Sequence, residues 1–423
     1  MFGWLRPKRP KRRRKNRAAH AGRGSRRVRP APALDGSTTR ASSVTASSPP
    51  PVPALPAGIA AYGFFSAPIG LGEAARRGVD ALRAAGVPIA AHSIDLRHVP
   101  LKVPYPADEP GAPDYDTALL HLNPSLWLRT AVKGMRQKRR IAVWHWELPV
   151  FPPHWMGDVG LVSEVWAPST FIADGVRAAT NLPVRLVPHP AMVVPCDRAV
   201  ARERLGLPQS RRIILTAFDF RSLPERKNPD GVLRAFRAAF PNDGDGPLLL
   251  VKYHRHESAS DLNYVERIKA TPNLHVIDRS VTQEEMRDIY AASDAFVSLH
   301  RSEGFGLNLL DMMALGRVCI ATAFSGNLDF MTHENSLLVP WTMRAVRPGE
   351  YPFGDGQWWA EPDHDAAVEA LRFVGNAPDS ALAAIAARAA ADTARDNGLE
   401  RVGALARAAW LGEPPPPVAG GNP

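Results

Sequence analysis

Short apolar runs of strand length recur between residues 58 and 324, and they fall into two series. The first holds GIAAYGFF (58–65), VPIAAHSI, TALLHLN, RIAVWHWE, EVWAPS and VRLVPHP. The second holds RIILTAF (212–218), PLLLVKY (247–253), LHVID (274–278), AFVSLH (295–300) and VCIATAF (318–324). Helical or loop stretches separate most of them. In GEAARRGVDALRAAG (72–86), for instance, Ala75, Val79 and Leu82 share one helical face. Strands alternating with such stretches build a parallel sheet with crossovers. The alternation pauses around 191–210, at Pro195, Pro208 and the charged stretch RAVARERLG. The sequence therefore predicts an α/β chain with two Rossmann-like, doubly wound domains in tandem. A ligand is expected between them, beyond the carboxyl ends of the strands.

A chain of 423 residues accommodates two domains, and 45% apolar residues suffice for two cores. The expected division is a tail over 1–56, domains over 57–200 and 201–385, a C-terminal helix over 386–412 and a flexible end over 413–423. The Ala-rich stretch 366–411 reads as two or three helices. Thr282 with Glu285 three residues on is a capping box, and Pro229 suits a first helical turn.

The net charge of +10 belongs to one end. Residues 1–56 carry 14 Lys and Arg against the single acid Asp35, a net of +13, while the remainder has 38 basic and 41 acidic residues. KRPKRRRKNR and the Ser, Thr and Pro after it lack apolar residues to bury, so disorder is expected. Three uses of the tail are open. It is a solvated extension or an unused upstream start; or it makes peripheral contact with an anionic membrane, each basic residue adding about 1 kcal/mol and Phe2, Trp4 and Leu5 inserting; or it binds nucleic acid. No apolar core follows the basic start, so no secretory signal is expected, and no apolar run is long enough to span a bilayer. Cys196 and Cys319 have neither metal-ligand spacing nor a disulfide framework. A cytoplasmic protein is expected, with the inner membrane face as a peripheral location.

The chemistry gathers around SEGFGLNLLD (302–311). Glu303 follows a strand, a Gly304-Phe305-Gly306 turn leaves room for a ligand, and an apolar helix begins with Asp311 inside it. The start of a helix offers unpaired N–H groups and a positive dipole end to an anion. Two carboxylates flanking such a phosphate site suit hydroxyls on either side, as in a nucleotide sugar; the alternative is two acids that merely solvate. FDFRSLPERKNPDGVLRAF (218–236) offers Arg221, Arg226 and Lys227 ahead of a helix, either as cations for a diphosphate or as solvated loop charges. APIGLGEAARR (67–77) sets Gly70 and Gly72 between strand and helix, where a backbone can approach a phosphate or sugar. A DxD at Asp243 and Asp245 lies in a Gly/Pro-rich connection and reads as a turn.

Residues 303–331, EGFGLNLLDMMALGRVCIATAFSGNLDFM, resemble the signature block of glycosyltransferase family 4, the retaining GT-B enzymes of group 1. Upstream VTQEEMRDIYAASDAFVSLHRSEGFG, the ERKNP segment and GLGEAARR extend the similarity across about 58–345, thinner in the first half. The resemblance implies a GT-B fold with an acceptor-side first domain and a second domain for the nucleotide sugar. It implies that Glu303 bonds donor-sugar hydroxyls and that the amides of Phe305, Gly306 and Leu307 meet the distal phosphate. Asp311, one methylene shorter than the family's Glu, would accept ribose hydroxyls. Lys227 would be the diphosphate cation, joined by Arg221, nearest the strand end, or Arg226. His145 in WHWELP would lie near the donor sugar; the alternative is a core histidine between two Trp rings. Glu147 would shape the acceptor side. The implied reaction moves sugar from a UDP or GDP sugar to a glycan or lipid-linked acceptor of the cell envelope, without a metal ion and with no specific nucleic acid partner. An epimerase, a phosphorylase or a tail-led binder of anionic surfaces or nucleic acid are the rival readings.

Overall fold

The computed structural model describes residues 54–96, 103–106, 114–192, 194–241, 244–254, 259–269 and 271–417. Residues 1–53, which carry the basic run with Phe2, Trp4 and Leu5, lie outside the described residues, as does Asp243 of the DxD.

The first sheet holds β1 (Ile59–Gly63), β2 (Ile89–Ser93), β3 (Thr117–Leu120), β4 (Arg139–Val143), β5 (Glu164–Ala167) and β6 (Val184–Leu186). The second holds β7 (Ile213–Asp219), β8 (Leu248–His254), β9 (Leu274–Ile277), β10 (Ala295–Ser298), β11 (Val318–Thr322) and β12 (Leu337–Val339). All ladders within both sheets are parallel. Their orders are β2-β1-β3-β4-β5-β6 and β12-β11-β10-β7-β8-β9. The chain thus has the two-domain doubly wound fold expected, with each sheet reversing direction once. Central strands such as β3 and β11 are buried at every residue. Helices cover both sheet faces, so these strands have no solvent side to mark with polar residues.

The helices are α1 (Gly70–Ala84), α2 (Leu126–Ala131), α3 (Thr170–Ala179), α4 (Arg198–Arg204), α5 (Pro224–Lys227), α6 (Pro229–Ala239), α7 (Ala259–Lys269), α8 (Gln283–Ala292), α9 (Leu307–Ala314), α10 (His364–Asn376), α11 (Asp379–Asn397) and α12 (Leu399–Leu411). The charged pause is itself helical: RAVARER forms α4, which buries Arg202 against Asp294 and the backbone carbonyls of Ala292 and Gln209. α8 starts with the capping box as read, Thr282 Oγ1 accepting from Glu285 N at 3.1 Å and Glu285 Oε2 from Thr282 N at 2.8 Å. The Ala-rich stretch makes three helices, and residue 386 falls inside α11.

The chain after β12 ties the domains together twice. An antiparallel hairpin, β13 (Trp341–Ala345) with β14 (Trp358–Pro362), sends Val346, Tyr351 and Trp359 into the first domain's core. α12 returns to the other face of the first sheet and packs on α1. The helices approach closely because Gly403 lacks a side chain; a Cβ there would sit 2.4 Å from Ala81 O. Arg139 Nη1 then caps the end of α12 through Trp410 O at 2.5 Å. Among the described residues no helix is long and apolar enough to cross a membrane.

Candidate active site

The second sheet reverses its order between β7 and β10, and a doubly wound sheet opens a crevice at such a point. Two charged segments leave it there. Beyond β7 the chain makes one tight turn, Phe220–Ser222, and then the single-turn helix α5 with Arg226 and Lys227. Asn228 closes that helix in the left-handed region, φ 51°. Its side chain caps α6 by accepting from Gly231 N at 3.2 Å and bonds Leu299 O just past β10 at 2.8 Å. The α5–α6 junction is thereby pinned to the neighbouring strand, with both cations facing Glu303.

Glu303 lies between them. Arg226 Nη1 donates to Glu303 Oε2 at 3.0 Å and to Ser302 O at 2.8 Å, and Lys227 Nζ pairs with Glu303 Oε1. Burial pushes the Glu303 carboxyl up, but Lys227 and Arg226 overcome it and hold the group below its ordinary range. The backbone is fixed as firmly. Glu303 N donates to Ser325 Oγ at 2.8 Å and its carbonyl accepts from Gly326 N at 2.9 Å. A Cβ on Gly326 would stand 2.1 Å from Gly304 O, so only glycine fits. Phe305, Gly306 and Leu307 follow along the cleft wall. Gly306, φ 106°, is the N-cap of α9, whose first helical bond is Leu310 N to Gly306 O at 3.1 Å. The first-turn amides have no acceptor within the helix.

The other expected cation is placed differently. Arg221 lines the cleft, yet its guanidinium grips Asp219 at 2.6–3.1 Å. Arg226, not Arg221, reaches Glu303, because the turn after β7 folds Arg221 back onto the acid two residues before it. Lys252 on β8 lines the same wall; burial pulls its ammonium below the ordinary value against the pull of Asp219.

The first domain adds buried histidines to the charged side chains it also presents, among them Arg77 and Glu147. His121, His145 and His189 follow β3, β4 and β6 at the carboxyl edge of that sheet. His145 Nε2 lies 3.0 Å from His189 Nε2, with the rings stacked at 5.2 Å. Such a contact needs one N–H and one bare nitrogen, so at least one of the two rings is neutral. Burial agrees, pushing His145 down to about 4 and His121 to about 3. Alternation along the segment turns Trp144 and Trp146 into the core and His145 the other way, onto the cleft, rather than between the two indoles. His189 meets Phe305 edge-on at 5.1 Å. Glu147 accepts from Tyr351 OH at 2.5 Å and stands 4.0 Å from Arg226.

Gly70 opens α1 on the cleft wall, but Gly72 is not part of that wall. A Cβ on Gly72 would meet Ala67 O at 2.4 Å and Phe64 O at 2.6 Å, so this glycine serves the seating of α1 on its preceding turn. Asp311 lines the cleft and is held by Arg77 of α1, Nη1 to Oδ1 at 2.8 Å and Nη2 to Oδ2 at 2.7 Å. Together the domains enclose about 1280 Å³. Arg77, His189, Lys252 and Tyr351 were not singled out from the sequence. Arg77 sits inside the quoted glycine segment, whereas the others belong to no motif. Among the described residues no group of three or more His, Cys, Asp or Glu could hold a metal ion.

Residues 213–345 match the family described as "Glycosyl transferases group 1". The N-acetyl-alpha-D-glucosaminyl L-malate synthase of Bacillus anthracis is 29% identical over 143 residues, covering 33% of this chain and 35% of that protein. The chain thus spans about a third of the length of this curated relative. Among solved structures, the sucrose-phosphate synthase of Thermosynechococcus elongatus superposes with a TM-score of 0.60 at 17% identity, over 84% of this chain and 98% of that one. Anabaena Alr3699/HepE, solved with UDP-glucose, gives 0.58 at 14% identity, over 84% and 99%. The structural likeness establishes the two-domain GT-B fold, and the second domain is similar, over residues 213–345, to the group 1 glycosyltransferases.

Proposed function

We propose that this chain is a retaining glycosyltransferase that moves a sugar from a nucleoside-diphosphate sugar to a glycan or lipid-linked acceptor of the cell envelope. The observation that carries the reading is the buried triad of Arg226, Glu303 and Lys227 facing the start of α9 across the switch-point crevice. Arg226, 5% exposed at its side chain, is committed to Glu303 and Ser302. Lys227, at 20%, is the cation free to turn from Glu303 to a phosphate. The amides at Gly306 and Leu307 supply donors for the same phosphate. Glu303, kept ionised by Arg226, accepts hydroxyls of the donor sugar. His145, neutral, offers a hydrogen bond without a charge.

In the transfer, the bond from the anomeric carbon to the diphosphate oxygen breaks and the acceptor oxygen bonds to that carbon on the same face. The acceptor proton passes to the departing diphosphate. The protein contributes position and charge, without a metal ion, and one preorganised contact of this kind is worth about 2.7–4 kcal/mol in the barrier. The cleft exceeds the roughly 300–1,000 Å³ of a single small-ligand pocket, which fits two substrates.

Thermal unfolding with UDP-, GDP- and ADP-sugars tests the reading, UDP-glucose first because the Anabaena protein binds it. A bound donor raises Tm through RT ln(1 + [L]/Kd). A shift with at least one donor and a retained anomeric configuration in the product are expected; no shift with any donor rejects the reading. The protein is placed in the cytoplasm, with residues 1–56 touching the anionic inner face of the membrane. Removing that segment is expected to abolish salt-sensitive binding to anionic vesicles and to leave turnover intact.

A further inference from the structure

Arg77 and Asp311 are 234 residues apart and both nearly fully buried, at 4% and 2% exposure. They come from different domains, Arg77 from α1 of the first and Asp311 from α9 of the second. Arg77 is itself braced, its Nε donating to Glu73 Oε1 at 2.8 Å and its Nη1 also to Pro190 O at 3.2 Å. Asp311 Oδ1 accepts a second bond, from Met192 N at 3.3 Å, in the stretch that joins the domains.

A carboxylate offers about four acceptor positions, two on each oxygen. Arg77 and Met192 fill both on Oδ1, and Arg77 fills one of the two on Oδ2. One position remains, on Oδ2, in a carboxylate that lines the cleft.

Resting on the proposed function, we infer that Arg77 is a positioning residue for the donor's ribose, turning Asp311 so that its single remaining acceptor site takes one ribose hydroxyl and not both. The site is then complete only while α1 stands against α9, which makes nucleotide recognition depend on closure of the two domains.

Calorimetry on the full chain tests this with UDP, 2′-deoxy-UDP and 3′-deoxy-UDP, and with the guanosine and adenosine sets in parallel. One of the two deoxy analogues is expected to bind about 10–100-fold more weakly than the parent, the range for losing a hydrogen bond to a charged group. The other should stay within about threefold of it. Comparable losses with both analogues, or with neither, overturn the inference while leaving the donor assignment standing. Silence from the uridine, guanosine and adenosine sets rejects the assignment and the inference together. In Arg77→Gln, with circular dichroism as the folding control, the ratio between the two analogues should collapse towards one. A ratio kept at its wild-type value shows that Arg77 does not orient Asp311. If Arg77→Gln does not fold, Asp311→Asn serves instead and must lose the discrimination in the same way.

Discussion

Two clusters of buried titratable groups, one in each domain, are held in opposite ways. The second domain presents Arg226, Lys227 and Glu303, charged groups held together by pairing. The first holds His145 and His189 on the cleft and His121 off it, titratable groups kept neutral by burial. A buried charge persists only with a partner, and a buried imidazole persists by releasing its proton. The second domain is therefore suited to receive an anion by exchanging partners, while the cleft histidines of the first shape the rest of the substrate without adding charge.

Removing one member of the charged cluster should have the largest consequence. Lys227→Ala is expected to lower turnover about 100–1,000-fold with an unchanged circular dichroism spectrum, measured by steady-state kinetics. Glu303→Ala should lose turnover as heavily and also destabilise the fold by about 3–5 kcal/mol in urea, because buried Arg226 is left unpaired. Wild-type-like turnover in both variants would remove the charged half of the comparison.

Next in size is the contrast between the two arginines. Arg226→Gln should weaken nucleotide-sugar binding and lower Tm, whereas Arg221→Gln, whose partner Asp219 stays one-quarter exposed, should do less of both. A reversed order by calorimetry would restore Arg221 as the principal partner of Lys227.

Acid separates the two clusters along the pH axis. The folded pKa values of His121, His145 and His189 lie below 6.5, so the unfolded chain binds more protons as pH falls from about 6.5 to about 4. Stability should decline over that window. His145 and His189 face each other, and His121 and Arg77 add to the repulsion felt by a charged His189. The Glu303 pKa is depressed, so its share is present above about 4.5 and is lost only as pH falls further. His121→Leu should shrink the upper decline in Tm and leave the lower one in place. An unaltered upper decline would show that the histidines are not its source. The smallest effect belongs to the exposed pair Arg177–Asp174: Arg177→Ala is expected to change stability by less than about 1 kcal/mol and turnover not at all.

What the sequence revealed follows the same division. Residues 303–307 and 224–229 are each contiguous, and their chemistry depends on local turns and on the helix each turn opens. Both could be read as short motifs, and the strands around them were visible as apolar runs. The ordering of Arg221 and Arg226 was not, because it depends on Asp219 catching Arg221 within the turn. The Arg77–Asp311 contact joins residues 234 apart and has no local signature. His189 becomes a cleft residue only because β6 ends beside β5 and β5 beside β4. Gly72 looked like room for a ligand and proved to be room for a carbonyl, since a glycine alone does not say which group comes close.

The central claim is that a diphosphate sits between Lys227 and the opening turn of α9. A crystal structure with a bound nucleoside diphosphate tests it most directly. The account predicts the distal phosphate within about 3 Å of Lys227 Nζ and of the amides at Gly306 and Leu307. A diphosphate bound with Lys227 still turned to Glu303 and no contact to those amides would contradict it.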